Sequence, residues 1–158
     1  MEATVKEKYM LRAIELSNIS VEKGGGPFGA VVVCNGEIIA EAHNQVTLTN
    51  DPTAHAEVVA IRAAAQKLGT FDLSHCEVYT SCEPCPMCLG AMYWARIQCF
   101  YFGNTKLDAD SIGFSDAFIY DELSKSFAER KMPAYPLMRD VAFEVFEKWK
   151  NKEDKTEY

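Results

Sequence analysis

Residues 81 to 88 read Ser-Cys-Glu-Pro-Cys-Pro-Met-Cys, so Cys85 and Cys88 stand three apart with Pro84 directly before the first. Thiols at this spacing support three chemistries: a redox dithiol, half of a structural zinc knuckle, or two ligands of a working metal. Well upstream, His55 and Glu57 flank Ala56. One neutral imidazole and two thiolates give zinc an uncharged site with three protein ligands, and the fourth tetrahedral position stays open for water, as catalytic zinc requires. Zinc lowers the pKa of a coordinated water from about 15.7 toward about 7. Two thiolates donate more charge than imidazoles would, so this zinc is a weaker Lewis acid and gains from a nearby base. Glu57 fits that part: it takes a proton from water, delivers it to a substrate ring nitrogen and later protonates a leaving amine. The reaction such a set supports is hydrolytic deamination of an aromatic amidine-like group.

The elements must bring these residues together. A helical stripe of Tyr9, Met10, Ala13, Ile14 and Leu16 runs from about Val5 to Val21 and ends at Lys23-Gly24-Gly25-Gly26. Phe28 to Cys34 reads as a buried strand, Asn35-Gly36 as a two-residue hairpin turn, and Glu37 to Asn44 as the antiparallel return. A polar connection over 46–53 leads to a helix from Ala54 to Leu68, closed by Gly69. Cys76 to Ser81 is a strand, Pro86 to Arg96 a helix and Gln98 to Gly103 a strand; two further helices are expected near Phe118 to Lys131 and Phe143 to Asn151. Strand-helix-strand steps require parallel neighbours, which implies a mixed sheet between helices. His55 with Glu57, and Cys85 with Cys88, then occupy the first turns of two helices that open at one edge of the sheet, where ligands bind. At i and i+3 both sulfurs face one ion, and a helix N-terminus favours thiolates.

Composition narrows the choice. A chain of 158 residues buries roughly 70% of its unfolded surface, so it needs no metal staple. We expect a single domain over 1–158, with no linker or internal repeat. A redox pair usually sits on the helix after the first strand of a thioredoxin-like unit, whereas this pair lies past mid-chain. The six cysteines follow no apolar leader, and the longest apolar run, Ala30 to Cys34, is far too short to cross a bilayer. The expectation is therefore a soluble cytoplasmic protein with reduced thiols, in which Cys34, Cys76, Cys82 and Cys99 are small buried residues. The net charge of −7 argues against general affinity for phosphate backbones. Lys148, Lys150, Lys152 and Lys155 alternate with Glu147, Glu153, Asp154 and Glu157, as on a solvated end. A fourth protein ligand from His43, His75 or Cys82 would close the metal site.

The His-x-Glu followed by Pro-Cys-x-x-Cys matches the signature of the zinc nucleobase deaminases. The stretches NDPTAHAEVVAIRAA and YTSCEPCPMCLGAMYWAR resemble the cytidine deaminase-like superfamily, and within it most closely the small bacterial-type guanine deaminases. GGPFGAVVV, IGFSDAFIY and the terminal tyrosine extend the resemblance over nearly the whole chain. It implies a three-layer α/β/α sandwich with a mixed five-stranded sheet. It also implies one zinc per chain on His55, Cys85 and Cys88, Glu57 as proton shuttle, and deamination of guanine to xanthine and ammonia. Asn44 would bond the purine, Phe28 and Trp94 would pack on its ring, and the backbone at Ala56 and Cys85 would face the reacting centre. Asp116 would bind the amino edge and assist the second proton transfer, beside Ser115, where such proteins often carry another acid. Tyr158 would close the pocket from a helix and tail, from about 138 to 158, exchanged within a homodimer. The alternatives are guanosine deamination, tRNA adenosine deamination and a zinc-stabilised binding module without turnover.

Overall fold

The structure, a computed structural model, describes residues 3–158. Strand β1 (Gly29–Cys34) and strand β2 (Glu37–His43) form the expected hairpin. Asn35 and Gly36 have φ of 51° and 81°, the left-handed pair that a two-residue turn needs to match the strand twist. The sheet order is β2-β1-β3-β4, with β3 spanning Cys76–Cys82 and β4 spanning Cys99–Asn104. Because β1 is antiparallel to both β2 and β3, and β3 is parallel to β4, strands β2, β3 and β4 all point the same way.

Strand β1 is buried at every position, so it must be apolar on both sides. Ala30 and Val32 meet Ala56, Ala60 and Ala64 of helix α3 (Ala56–Leu68) and Met92 of helix α4 (Pro86–Trp94). Val31 and Val33 meet Leu16 of helix α1 (Val5–Glu22) on the other face, together with Tyr79. These are the three expected layers. Helix α1 starts at a Thr4/Glu7 capping box and lies so close to β1 that a Cβ on Gly29 would fall 2.2 Å from the Ala13 carbonyl.

Several expectations are corrected. Among the described residues the sheet has four strands, not five. The irregular stretch 133–137 past β4 contains Pro133 and Pro136, neither of which has an N–H for a strand ladder. The polar connection contains a one-turn helix, α2 (Val46–Thr49), stopped by Asn50 at φ 53°. After a short helix α5 (Lys106–Ser111), the helix expected to run to Lys131 is α6 (Asp116–Ser124), followed by a separate 3-10 turn at Phe127–Glu129. Ser126 opens that turn by exchanging hydrogen bonds with Glu129. The last helix, α7 (Arg139–Lys150), begins four residues earlier than expected.

Cys34 and Cys76 are not free thiols but a disulfide. They are directly opposite one another in the β1/β3 register, a long-range pairing that their separation of 42 residues does not reveal in sequence.

The chain gathers into two compact units, one through Tyr120 and one from Asp121 onward. In the second, Arg130 Nε donates to the carbonyls of Glu122 and Lys125. Along α7, Val141, Phe143, Val145, Phe146 and Trp149 are all exposed.

Titration of unfolded, metal-free, unreduced protein with a thiol reagent is expected to count four thiols, and six after reduction. Reduction should also lower stability by about 2–4 kcal/mol in urea titrations. Six thiols without reductant would remove the disulfide.

Candidate metal centre

Helices α3 and α4 each follow a strand that points toward the same sheet edge, so their first turns open side by side. His55 is the N-cap of α3 and Cys85 the N-cap of α4; the His55 side chain makes no capping bond, and Cys85 meets only the Cys88 N–H of its own helix backbone. Both side chains remain open to a ligand. The turn before His55 is fixed by Asp51, whose Oδ1 accepts the Thr53 N–H at 2.8 Å and the Thr53 hydroxyl at 2.7 Å. Pro86 begins α4 where a missing N–H costs nothing.

His55 Nδ1 lies 3.5 Å from Cys85 Sγ and 3.5 Å from Cys88 Sγ, and the two sulfurs are 3.5 Å apart. Ordinary zinc bond lengths put tetrahedral edges at about 3.8 Å between thiolates and about 3.6 Å between thiolate and imidazole nitrogen. The triangle therefore fits a zinc ion with little adjustment. Among the described residues no fourth histidine, cysteine or carboxylate joins this cluster. His75 lies instead beside Cys34 and Cys76, and His43 Nδ1 contacts the Asn44 carbonyl. Cys82 is turned toward the Thr105 carbonyl, 3.8 Å from its sulfur, and burial pushes its thiol up to about 11. None of the three completes the site.

Without metal, the cluster is electrostatically unbalanced in a way that suits one. Cys85 is held down to about 4 by its bond with Cys88 and, against the cost of burial, by His55. That same bond and burial hold Cys88 up. The Cys85 bond also raises His55. Glu57 is buried, and desolvation raises its carboxyl. Its Oε1 accepts the Thr80 hydroxyl at 3.0 Å, while Oε2 lies 3.4 Å from Cys88 Sγ. Glu57 thus stands beside the ligand set rather than in it.

The cluster opens on a cavity of about 460 Å³, within the range of small-molecule sites. Phe28, Asn44, His55, Glu57, Cys85 and Asp116 all line it. Phe28 meets Phe114 edge to face at 4.9 Å. Asn44 Oδ1 accepts the Val46 N–H at 3.1 Å. Asp116 Oδ1 is buried and has no hydrogen-bond partner, and burial raises that carboxyl. Tyr120, one turn on, donates to the Pro84 carbonyl at 2.7 Å, which ties this helix to the cysteine motif. Ala56 is fully buried between His55 and Glu57. Trp94, at the end of α4, is 68% exposed and outside the cavity lining. Tyr158 is 71% exposed and belongs to the second unit.

Sequence reasoning did not single out Thr80, Phe114 or Met87. Thr80 had a visible signal, a polar residue in a strand otherwise fit for burial. Phe114 and Met87 had none, because apolar residues are equally at home in a core.

The profile of the cytidine and deoxycytidylate deaminase zinc-binding region matches residues 3–104. The chain is 50% identical to the guanine deaminase of Bacillus subtilis, over 96% of this chain and 98% of that one. It is 39% identical to the tRNA-specific adenosine deaminase of Aquifex aeolicus, over 92% and 97% respectively. The X-ray structure of the Bacillus subtilis guanine deaminase superposes with a TM-score of 0.93 at 50% identity, covering 96% of this chain and 98% of that one.

Purified protein is expected to carry one equivalent of zinc by elemental analysis. His55→Ala and Cys88→Ser should lose most of it, whereas Cys82→Ser should keep it. Loss of zinc from Cys82→Ser would contradict the three-ligand site.

Proposed function

This chain belongs to the cytidine and deoxycytidylate deaminase family, and we propose that it hydrolyses guanine to xanthine and ammonia. The observation that carries the reading is the likeness to a guanine deaminase over nearly the full length of both chains. The site supplies the parts such a reaction needs.

Zinc on His55, Cys85 and Cys88, when bound, supplies acidification of a water and positive charge at the point of attack. Glu57 accepts the proton that the water gives up and passes it to the ring nitrogen beside the amino-bearing carbon. A second transfer to the amino group lets it leave as ammonia. Burial suits Glu57 to this part, because desolvation raises its carboxyl and so favours its holding the proton between the two transfers. Asp116 presents an unpartnered oxygen to the cavity, matched to the N–H groups of the purine's amino edge, and assists the second transfer. Asn44, whose oxygen is occupied by Val46, offers its amide N–H groups to a purine acceptor. Phe28, held by Phe114, packs on the ring, and the backbone at Ala56 and Cys85 faces the reacting carbon.

The reading extends to a homodimer in which the segment from about 138 to 158 is exchanged. Exposed apolar side chains along α7 favour it, since a helix with such a face is unstable in water alone. Tyr158 would then close the cavity of the other subunit, and the exposure of Trp94 would likewise be relieved against a second copy. One zinc per chain, a cytoplasmic setting and a role in purine catabolism complete the proposal. Adenosine deamination in tRNA has the Aquifex relative in its favour, but the charge of −7 suits a free base better than an anticodon loop.

Ammonia release across guanine, guanosine, adenine, cytosine, cytidine and a tRNA anticodon stem-loop should be fastest with guanine. Glu57→Gln should keep its zinc and lose about 10²–10⁴-fold in rate, and Asp116→Asn should fall markedly. Light scattering should give twice the mass of the chain, and deletion of residues 139–158 should give an inactive monomer. Preference for guanosine or the stem-loop would overturn the substrate, near-normal Asp116→Asn its role, and an active monomer the exchange.

A further inference from the structure

We propose that Thr80 is a positioning residue whose hydroxyl anchors one oxygen of Glu57 and so leaves the other, on the metal-ligand side, to move protons. The inference rests on reading Glu57 as the proton carrier. Thr80 lies in the middle of β3, 1% exposed. Cys76 and Val78 precede it at two-residue steps and pack into the core between the sheet and helices α3 and α4. Continuing that series with an apolar side chain would fill the same space. A hydroxyl appears there instead, and it meets Glu57 Oε1 at 3.0 Å and the Cys82 carbonyl at 3.1 Å.

A threonine hydroxyl has one hydrogen and stands here between two acceptors. An ionised carboxylate is the stronger acceptor, so the hydrogen is directed at Glu57 when that group carries charge. The Cys82 carbonyl, 3.1 Å away, is the alternative acceptor of the same hydrogen and takes it when Glu57 carries no charge. The last torsion of a glutamate is broad and gives little resistance to rotation. Within the buried setting of Glu57, the other hydrogen-bond partners are its own backbone N–H and Cys88. Cys88 is a metal ligand, so its bond to Glu57 belongs to the metal-free site. Among the described side chains, Thr80 is therefore the partner that persists when the ligands are engaged. With Oε1 held, Oε2 stays on the side of Cys88, 3.4 Å from its sulfur, beside the residues that would hold the metal.

If Thr80 only filled the core, a valine of nearly the same shape would serve. The test compares Thr80→Val with Thr80→Ser, which retains the hydroxyl, using whichever amine of the panel the parent enzyme converts fastest. Thr80→Val is expected to lose about 10–100-fold in kcat, the usual cost of removing a group that orients a metal site. Its KM and zinc content should be unchanged, and Thr80→Ser should recover most of the rate. Equal losses in both variants, or a normal kcat in Thr80→Val, would overturn the proposal. Should Thr80→Val fail to fold, Thr80→Ala enters the same comparison.

A second readout does not depend on turnover. The infrared carboxylate band that disappears in Glu57→Gln should shift in Thr80→Val and remain in place in Thr80→Ser. An unshifted band would overturn the role of Thr80 even in an active enzyme. A shifted band in a protein that released ammonia from none of the amines would uphold the anchor while removing the proposed function.

Discussion

Strand β1 runs against both of its neighbours, and the site depends on that single constraint. It forces β2 and β3 to run the same way, so the helices that follow them begin at the same edge. Each of those helices has a candidate ligand, His55 or Cys85, at its N-cap. The unsatisfied N–H groups and partial positive charge of two helix N-termini thus converge where two sulfurs and a carboxylate gather. A fold with the same elements but a parallel β1/β3 pair would place these helix ends at opposite edges.

The same arrangement accounts for the depth of Glu57. A buried carboxylate is costly unless it is bonded or neutral. Here it lies between the Thr80 hydroxyl and Cys88, a candidate metal ligand, and a cation held there would offset its charge. The tight core around it is built from small residues: Ala56, Ala60 and Ala64 on α3 against Ala30 and Val32 on β1. Alanines let α3 approach the sheet closely enough for a short side chain reach between Glu57 and Thr80. Packing and chemistry are in this sense one design, since a larger residue at Ala60 or Ala30 would lift the carboxylate away from its anchor.

How much of this was legible in sequence follows from the range of each interaction. The hairpin turn at Asn35-Gly36 and the C-cap at Gly69 depend on neighbours a few residues apart, and they read directly. That His55, Cys85 and Cys88 lie together, with Glu57 beside Cys88, also follows from the sequence expectation, because few residue types do metal chemistry and the spacing within each pair is local. The Cys34–Cys76 disulfide did not, because it is set by strand register across the sheet. Thr80 showed only as a polar residue in a strand fit for burial, and its partner Glu57 could not be read because it lies a helix away in sequence. The fifth strand was an expectation of resemblance rather than of residues, and Pro133 and Pro136 explain why the stretch beyond β4 does not supply it. The break between α6 and the turn at Phe127 escaped notice because apolar spacing continues across it while the backbone restarts at Ser126.

Three protein ligands and an open fourth position separate a working metal from a structural one, so the coordination shell is the quantity to measure. X-ray absorption at the zinc edge of the purified protein should show two sulfurs at about 2.3 Å and two lighter atoms at about 2.0–2.1 Å. The scattering pattern should contain a single imidazole. A third sulfur, or the signature of a second imidazole, would mean that the fourth position is filled by protein and that the chain does not carry a catalytic metal of this kind.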